Sequence, residues 1–151
     1  MTHATEARRH TRESIPPRPD PRTAPLSFVQ RQMWLIDQLA PGNPAYNLSR
    51  GLRLRGRPDL TMLEAAFNAV IRRHEILRTT FVVDGGEPFQ VVHPALAIRI
   101  AVMSLEHLAP EQREAEARAL ATAESVKPFD LARLPLLRVT VFTLGDLEHI
   151  L

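Results

Sequence analysis

His74 stands directly before Glu75, and an imidazole beside a carboxylate is a pair from which general acid–base chemistry can be built. Its spacing argues against that use. His74 falls eleven residues after Leu63, in line with Ala66, Phe67, Val70 and Ile71, so it extends an apolar helical stripe. A buried, hydrogen-bonded structural histidine is expected there. His93, His107 and His149 are scattered and lack the spacing of metal ligands. The chain has no cysteine, which removes disulfides and cysteine-based zinc sites. Asp84-Gly85-Gly86 has the composition of a phosphate-cradling loop, but it lies between two strand-like runs and not before a helix, which reads as a hairpin turn. No G-x-S-x-G nucleophile pattern occurs. The residues alone assign no catalytic group and no metal site.

The elements that would position these side chains follow from periodicity and punctuation. Ser27 reads as the N-cap of a helix over 28–39, ended by Pro41-Gly42. Phe28, Met33, Trp34 and Leu35 are dense enough that one broad side of it should be buried. Residues 46–57 alternate as a half-buried strand, with Leu52 and Leu54 on one side. Asp59 caps a second helix that should end near Glu75. Strands are expected over 77–83, 88–93 and 98–103, the first two joined by the glycine turn. Pro110 opens a third helix running to about Val126, and Pro128 stops it. The run 136–144 reads as a well-buried strand, and 147–151 begins another after Gly145-Asp146. The order implies an α/β fold, a mixed sheet with helices packed on it.

Composition sets outer limits. The 151 residues are 44% apolar and 24% charged, ordinary for one globular domain. Residues 1–25 hold five arginines against three acidic residues, and this accounts for the net charge of +2; the rest is neutral. A neutral body gives little support to nucleic-acid binding. No apolar run reaches the ~20 residues that span a bilayer, and 1–10 lack the apolar stretch of a secretory signal, so no membrane association and a cytoplasmic setting are expected. Five prolines between positions 16 and 25 make 1–25 a flexible leader. Arg50, Arg53, Arg55 and Arg57 form a basic edge on the first expected strand. It is read as a solvated face that discourages edge pairing, or as a contact for a phosphate-bearing partner.

Three segments carry more than periodicity. Leu26 to Trp34 resembles the first core motif of nonribosomal peptide synthetase condensation domains, S-x-A-Q-x-R-[LM]-W, through Ser27, Gln30 and Trp34. Val29 and Gln32 depart from it, and Gln32 removes a cation. Arg73-His74-Glu75-Ile76-Leu77-Arg78-Thr79-Thr80-Phe81 matches the second motif, R-H-E-x-L-R-T-x-F, at every fixed position. Pro128-Phe129-Asp130-Leu131 followed by Pro135-Leu136-Leu137-Arg138 is similar to a third, and the loop Gly42 to Asn47 is also similar to these domains.

The resemblance implies a partial chloramphenicol acetyltransferase-like lobe over 26–151. It implies amide-bond formation between aminoacyl or peptidyl thioesters held on phosphopantetheine arms of carrier proteins, with no cofactor bound directly. Partners would be those carrier proteins and other synthetase domains. The family's catalytic H-H-x-x-x-D-G is absent, since no two histidines are adjacent. The chain is expected to cover about the first third of a condensation domain, to stop before that signature and to be inactive alone. A non-catalytic remnant, a carrier-binding module, or an epimerization or ester-forming relative are the alternatives. Met1 before a short tail implies that no carrier domain lies upstream. In the family Arg78 would form a salt bridge to the aspartate of that signature; without it, a solvated arginine is expected. Uncovered apolar edges imply poor solubility or self-association.

Overall fold

Side chains at the helix entries set the local structure. The computed structural model describes residues 16–151. Thr23–Pro25 form β1, and Phe28–Leu39 form α1. Ser27 Oγ accepts from the Gln30 N–H at 3.2 Å, and Gln30 Oε1 accepts from the Ser27 N–H at 2.8 Å. This capping box satisfies two donors that the first turn leaves free. Arg53–Arg55 form β2 and Leu60–Arg73 form α2. Asp59 caps α2 by accepting from the Met62 N–H at 2.9 Å. A 3-10 turn over Glu75–Arg78 leads into β3, Thr79–Asp84, and the chain returns as β4, Glu87–Val92. Gly85 and Gly86 have φ of 57° and 85°, the left-handed pair that a two-residue hairpin requires.

The second half supplies Ala101–Ser104 as β5, Pro110–Ser125 as α3, Thr140–Gly145 as β6 and Glu148–Ile150 as β7. Pro110 sits in the first turn of α3, where its missing N–H costs nothing. The strands form an antiparallel sheet ordered β1-β4-β3 and a mixed sheet ordered β2-β7-β6-β5. β5 and β6 are parallel, so a crossover must join them, and α3 is that crossover. The architecture is the α/β class that the pattern implies.

The core sits where α3 lies on β6. Ala117 and Phe142 are buried together with Leu105 and Leu144, and Leu120 and Ile150 pack around them. Strand alternation turns Val141 and Thr143 to the opposite face, where Val141 is fully buried. α2 is tied to the approach to β5 by Asn68, whose amide donates to Ile98 O at 3.0 Å and accepts from the Ile98 N–H at 2.9 Å. Glu64 accepts from the Ile100 N–H at 3.0 Å.

Several expectations are corrected. Residues 1–15 of the expected leader lie outside the described residues. Its last three residues are not a flexible tail, since β1 pairs with β4 from Thr23↔Val91 to Pro25↔Phe89. β2 covers only three residues, because its partner β7 is equally short. The expected strand 136–144 begins at Thr140, and the one expected from Leu77 begins at Thr79, after the 3-10 turn. α1 buries no residue: Phe28 is 77% and Leu39 76% exposed. It is attached by polar contacts, Gln30 to Gln90 at 3.1 Å and Arg31 to Glu87 at 2.9 Å, rather than by an apolar face. His74 is exposed and not buried. Helical geometry ends at Arg73, and His74 adopts φ −114° and ψ 104° as the C-cap, which swings it off the α2 stripe.

Two outcomes follow. Phe142→Ala opens the α3–β6 core and should lower the unfolding free energy by about 3–5 kcal/mol, read as a urea midpoint shift at constant slope. The bare α1 face should drive self-association that rises with concentration. A sharp monomeric peak in size-exclusion chromatography, with cooperative unfolding, would contradict this.

Candidate functional site

The segment Arg73–Phe81 crosses from α2 through the 3-10 turn into β3, and its polar groups are mostly engaged within the chain. Arg73 and His74 are exposed at the helix end. Glu75 lies between two cations, with Arg18 Nη2 at 2.7 Å and Arg78 Nη2 at 3.6 Å. Thr79 Oγ1 donates to Glu75 O at 2.7 Å and closes the turn. Thr80 Oγ1 lies 2.9 Å from His93 Nε2. That hydroxyl–imidazole pair has the form of an activated nucleophile. Thr80 is only 1% exposed, however, so substrate does not reach it and the pair is structural.

Arg78 is the cation of this segment, and it is not solvated. Its side chain is 14% exposed, Nη1 donates to His93 O at 2.5 Å, and its own carbonyl accepts from the His93 N–H at 2.9 Å. The expectation of a solvated arginine fails because His93, just after β4, supplies a carbonyl and Glu75 a nearby carboxylate. Among the described residues its guanidinium makes one hydrogen bond and faces a carboxylate at 3.6 Å, and none of its remaining nitrogens is buried without a partner.

The first motif holds the other end of the same sheet. Gln30 Nε2 donates to Gln90 Oε1 at 3.1 Å, and Gln90 Nε2 donates to Pro25 O at 2.9 Å, so α1, β4 and β1 share one amide relay. Trp34 is half-buried and Gln32 is exposed. Phe81 is half-buried, and its N–H donates to Leu131 O at 2.9 Å, which joins the second motif to the third.

The roles of Arg138 and Asn47 were not foreseen from the sequence. Arg138 Nη2 donates to Lys127 O at 2.5 Å and Nη1 to Pro128 O at 3.2 Å, while its guanidinium lies 3.9 Å from the Phe129 ring centroid. Asn47 Nδ2 donates to Ser125 O and to Lys127 O, both at 2.9 Å. Ser125 O is one of the carbonyls that the end of α3 leaves without a helical donor, and Lys127 O and Pro128 O follow it in the chain just past the helix. A Cβ added at Gly42, whose φ is 79°, would lie 3.9 Å from Pro128 Cγ, so the loop passes close to Pro128. The signal available beforehand was the stop at Pro128, which demands that something satisfy those carbonyls.

Two of the four arginines of the basic edge meet carboxylates. Arg53 meets Glu114 at 2.7 Å, and Arg57 lies 3.4 Å from Asp146. Hydrogen bonds from Arg118 and Arg53 hold the Glu114 carboxyl below the usual range, and the Glu114 hydrogen bond raises Arg53. Arg55 is exposed, and Arg50 donates to the carbonyl of its neighbour Ser49. Among the described residues no group of three metal-ligating side chains converges, and no helix is long and apolar enough to cross a membrane. His149 is buried with Nδ1 unpartnered. Among the described residues the geometry therefore offers a scaffold with one sheltered cation, Arg78, that has a single hydrogen bond.

Comparison with known proteins gives the arrangement a context. The family described as Condensation domain matches residues 21–151. Phosphinothricin tripeptide synthetase PhsC of Streptomyces viridochromogenes is 43% identical over 140 residues, 91% of this chain and 13% of that protein. Chondramide synthase cmdD of Chondromyces crocatus is 36% identical over 138 residues, which is 90% of this chain and 4% of that protein. A mutant starter condensation domain of rhizomide synthetase, in a product-released conformation, matches with a TM-score of 0.77 at 26% identity, over 85% of this chain and 29% of that one. The chain thus spans a small part of the curated relatives it matches.

Arg138→Ala should destabilise the chain by about 1–2 kcal/mol and speed amide exchange in the last turn of α3. Asn47→Ala should do the same more weakly. The depressed Glu114 carboxyl stabilises the fold above the ordinary glutamate range, about pH 4.3, and that share is lost as pH falls through the folded-state value. Glu114→Gln should therefore lower stability at neutral pH, and its difference from the parent should shrink in acid. Urea titrations at both pH values read this.

Proposed function

The chain belongs to the condensation-domain family, and from that premise we propose that it serves as the N-terminal part of a catalyst that joins carrier-bound acyl groups in nonribosomal peptide synthesis. The reaction class is attack of an acceptor amine on a donor thioester carbonyl. The C–N bond forms, the C–S bond breaks, and the phosphopantetheine thiol of the donor carrier protein leaves with a proton. In this reading the fold is a partial chloramphenicol acetyltransferase-like lobe in a cytoplasmic enzyme. Its partners are carrier proteins and neighbouring synthetase domains.

The observation that carries the reading is Arg78. It lies in a nine-residue segment that meets the family pattern at every fixed position, and it is sheltered with fewer partners than its donors require. An additional carboxylate at that place, supplied by the aspartate of H-H-x-x-x-D-G in a longer polypeptide, would complete its coordination. Arg78 would then shape the site without transferring a proton. The general base would come from the same signature, because among the described residues the one histidine paired with a hydroxyl, His93, meets the buried Thr80. The catalytic role is therefore assigned to the longer polypeptide and not to this chain alone. The competing reading is a non-catalytic module that only binds carrier proteins.

Incubation with donor-loaded and acceptor-loaded carrier proteins, followed by mass spectrometry, separates the two. The 151-residue chain alone should give no amide, and a longer polypeptide that adds the signature should give it. Arg78→Ala in that polypeptide should cut the rate by about 10²-fold, with Arg78→Lys recovering little of it. Amide formation by the chain alone would overturn the assignment of catalysis. No amide from the longer polypeptide would favour the binding module.

A further inference from the structure

Arg18 is remote in sequence from Glu75 and Arg78 and reaches them through a stiff strap. Pro17, Pro19 and Pro21 alternate with Arg18 and Asp20, and a residue before proline is held in extended backbone. The strap therefore has few conformations to lose on docking. A side-chain turn then fixes it to β1. Asp20 Oδ1 accepts from the Arg22 N–H at 2.8 Å, and Oδ2 accepts from the Thr23 hydroxyl at 2.7 Å. The Arg22 N–H and the Thr23 hydroxyl hold the Asp20 carboxyl below its usual range. Both of its oxygens are thus engaged, and it does not compete for Arg18. Arg22 O accepts from the Val92 N–H at 2.7 Å, and the next residue, His93, donates its N–H to Arg78 O at 2.9 Å. The end of β4 holds the strap and Arg78 side by side.

Glu75 is where the two meet. Residues three apart in a 3-10 turn stand one above the other, so Glu75 and Arg78 are placed to pair directly. They do not close. Glu75 Oε1 stays 3.6 Å from Arg78 Nη2, while Glu75 Oε2 accepts from Arg18 Nη2 at 2.7 Å. Arg18 Nη2 also donates to Pro21 O at 3.1 Å, which ties the guanidinium to its own strap. The Arg18 and Glu75 side chains are 41% and 49% exposed, so their pairing contributes little to stability. Its effect is on where the carboxylate sits. Among the described residues Arg18 and Arg78 are the cations within reach of Glu75, so a carboxylate released by Arg18 has Arg78 to turn to.

We propose that Arg18 is a positioning residue: it holds the Glu75 carboxylate off Arg78 and so keeps the Arg78 guanidinium open to a second carboxylate. This rests on the reading that Arg78 receives the aspartate of H-H-x-x-x-D-G. A guanidinium closed on Glu75 would offer that aspartate a neutralised partner, and the two carboxylates would repel each other. Arg18 gives Glu75 a countercharge of its own and removes the competition. It touches no reacting atom and acts through Glu75 and Arg78.

Side-chain proton exchange and turnover test this in two proteins. In the 151-residue chain, NMR follows exchange of the Arg78 Nη protons with water. Arg18→Gln should slow it about two- to fivefold as Glu75 closes on Arg78, the range of an exposed ion pair. Adding Glu75→Gln to Arg18→Gln should return it to the parent rate. In the longer polypeptide that carries the signature, Arg18→Gln should lower kcat by a similar factor, about two- to fivefold, with KM for the loaded carrier proteins unchanged. Glu75→Gln in the same protein should restore kcat, a rescue that loss of the strap's docking would not allow. A kcat loss that persists in the double variant, with a lowered urea midpoint, is structural and overturns the proposal. Unchanged Arg78 exchange in Arg18→Gln overturns it as well. Slower exchange with unchanged kcat confines Arg18 to a local ion pair and also counts against it. If the longer polypeptide forms no amide, the catalytic reading fails by itself, and the exchange measurement alone decides whether Arg18 holds Glu75 off Arg78. If amide forms at the parent rate in every Arg18 variant, the catalytic reading stands and the proposal falls.

Discussion

The carbonyl groups at the C-terminal end of α3 are the constraint from which much of the structure follows. A parallel β5–β6 pair obliges the chain to cross over, and α3 is the crossover, so the end of α3 decides where residues 126–139 run. Arg138 and Asn47 close that end from two directions. With it closed, Leu131 reaches the outer edge of β3 and accepts from the Phe81 N–H. The mixed sheet and the antiparallel sheet are thereby linked through a helix terminus. The three motifs and the Gly42–Asn47 loop, far apart in sequence, meet along this path. Most contacts there are backbone groups finding a donor or acceptor, which explains why arginine, asparagine and threonine rather than large apolar residues make them.

What the sequence made legible was local. Ser27 and Asp59 cap their helices because a short oxygen-bearing side chain before a helical run has one favourable use. Gly85 and Gly86 turn a hairpin because few other residue types accept that backbone geometry. Pro110 opens α3 for a similar reason. What was not legible depended on distant partners. α1 looks like a core helix from its apolar density, but burial requires an opposing surface, and none of the described residues supplies one. His74 lies on the apolar stripe by counting, yet one residue of non-helical backbone removes it. The fate of Arg78 turned on the carbonyl of His93, fifteen residues away, just past the end of β4.

Charge shows the same division between count and placement. Four arginines within eight residues look like a binding edge when only their sequence is considered. In the fold Arg53 and Arg118 share Glu114, and Arg57 approaches Asp146. These pairs are largely solvent-exposed, so each contributes little to stability, and their main effect is to lower the positive potential along β2. Among the described residues Arg50 and Arg55 have no carboxylate partner, so a partner that reads phosphate would meet about half of the charge that the arginine count suggests.

Arg78 differs from those arginines in its surroundings, and the difference bears on how a condensation site is assembled. On an open surface, water completes the coordination of a guanidinium and no particular partner is required. At 14% exposure water does so poorly, and one carbonyl with a carboxylate at 3.6 Å leaves donors unused. Replacing such a group by an apolar one of similar size would relieve the strain on folding, so stability alone gives no reason for an arginine there. An arginine is explained when a second anion is to be bound: its charge attracts a carboxylate and its planar fork fixes the angle of approach. His93, the residue after β4, holds that fork through its backbone, paired with that of Arg78, before any such carboxylate arrives. The chain thus contributes a preset cation to the proposed site, and the conformational entropy of placing it has already been met by the fold.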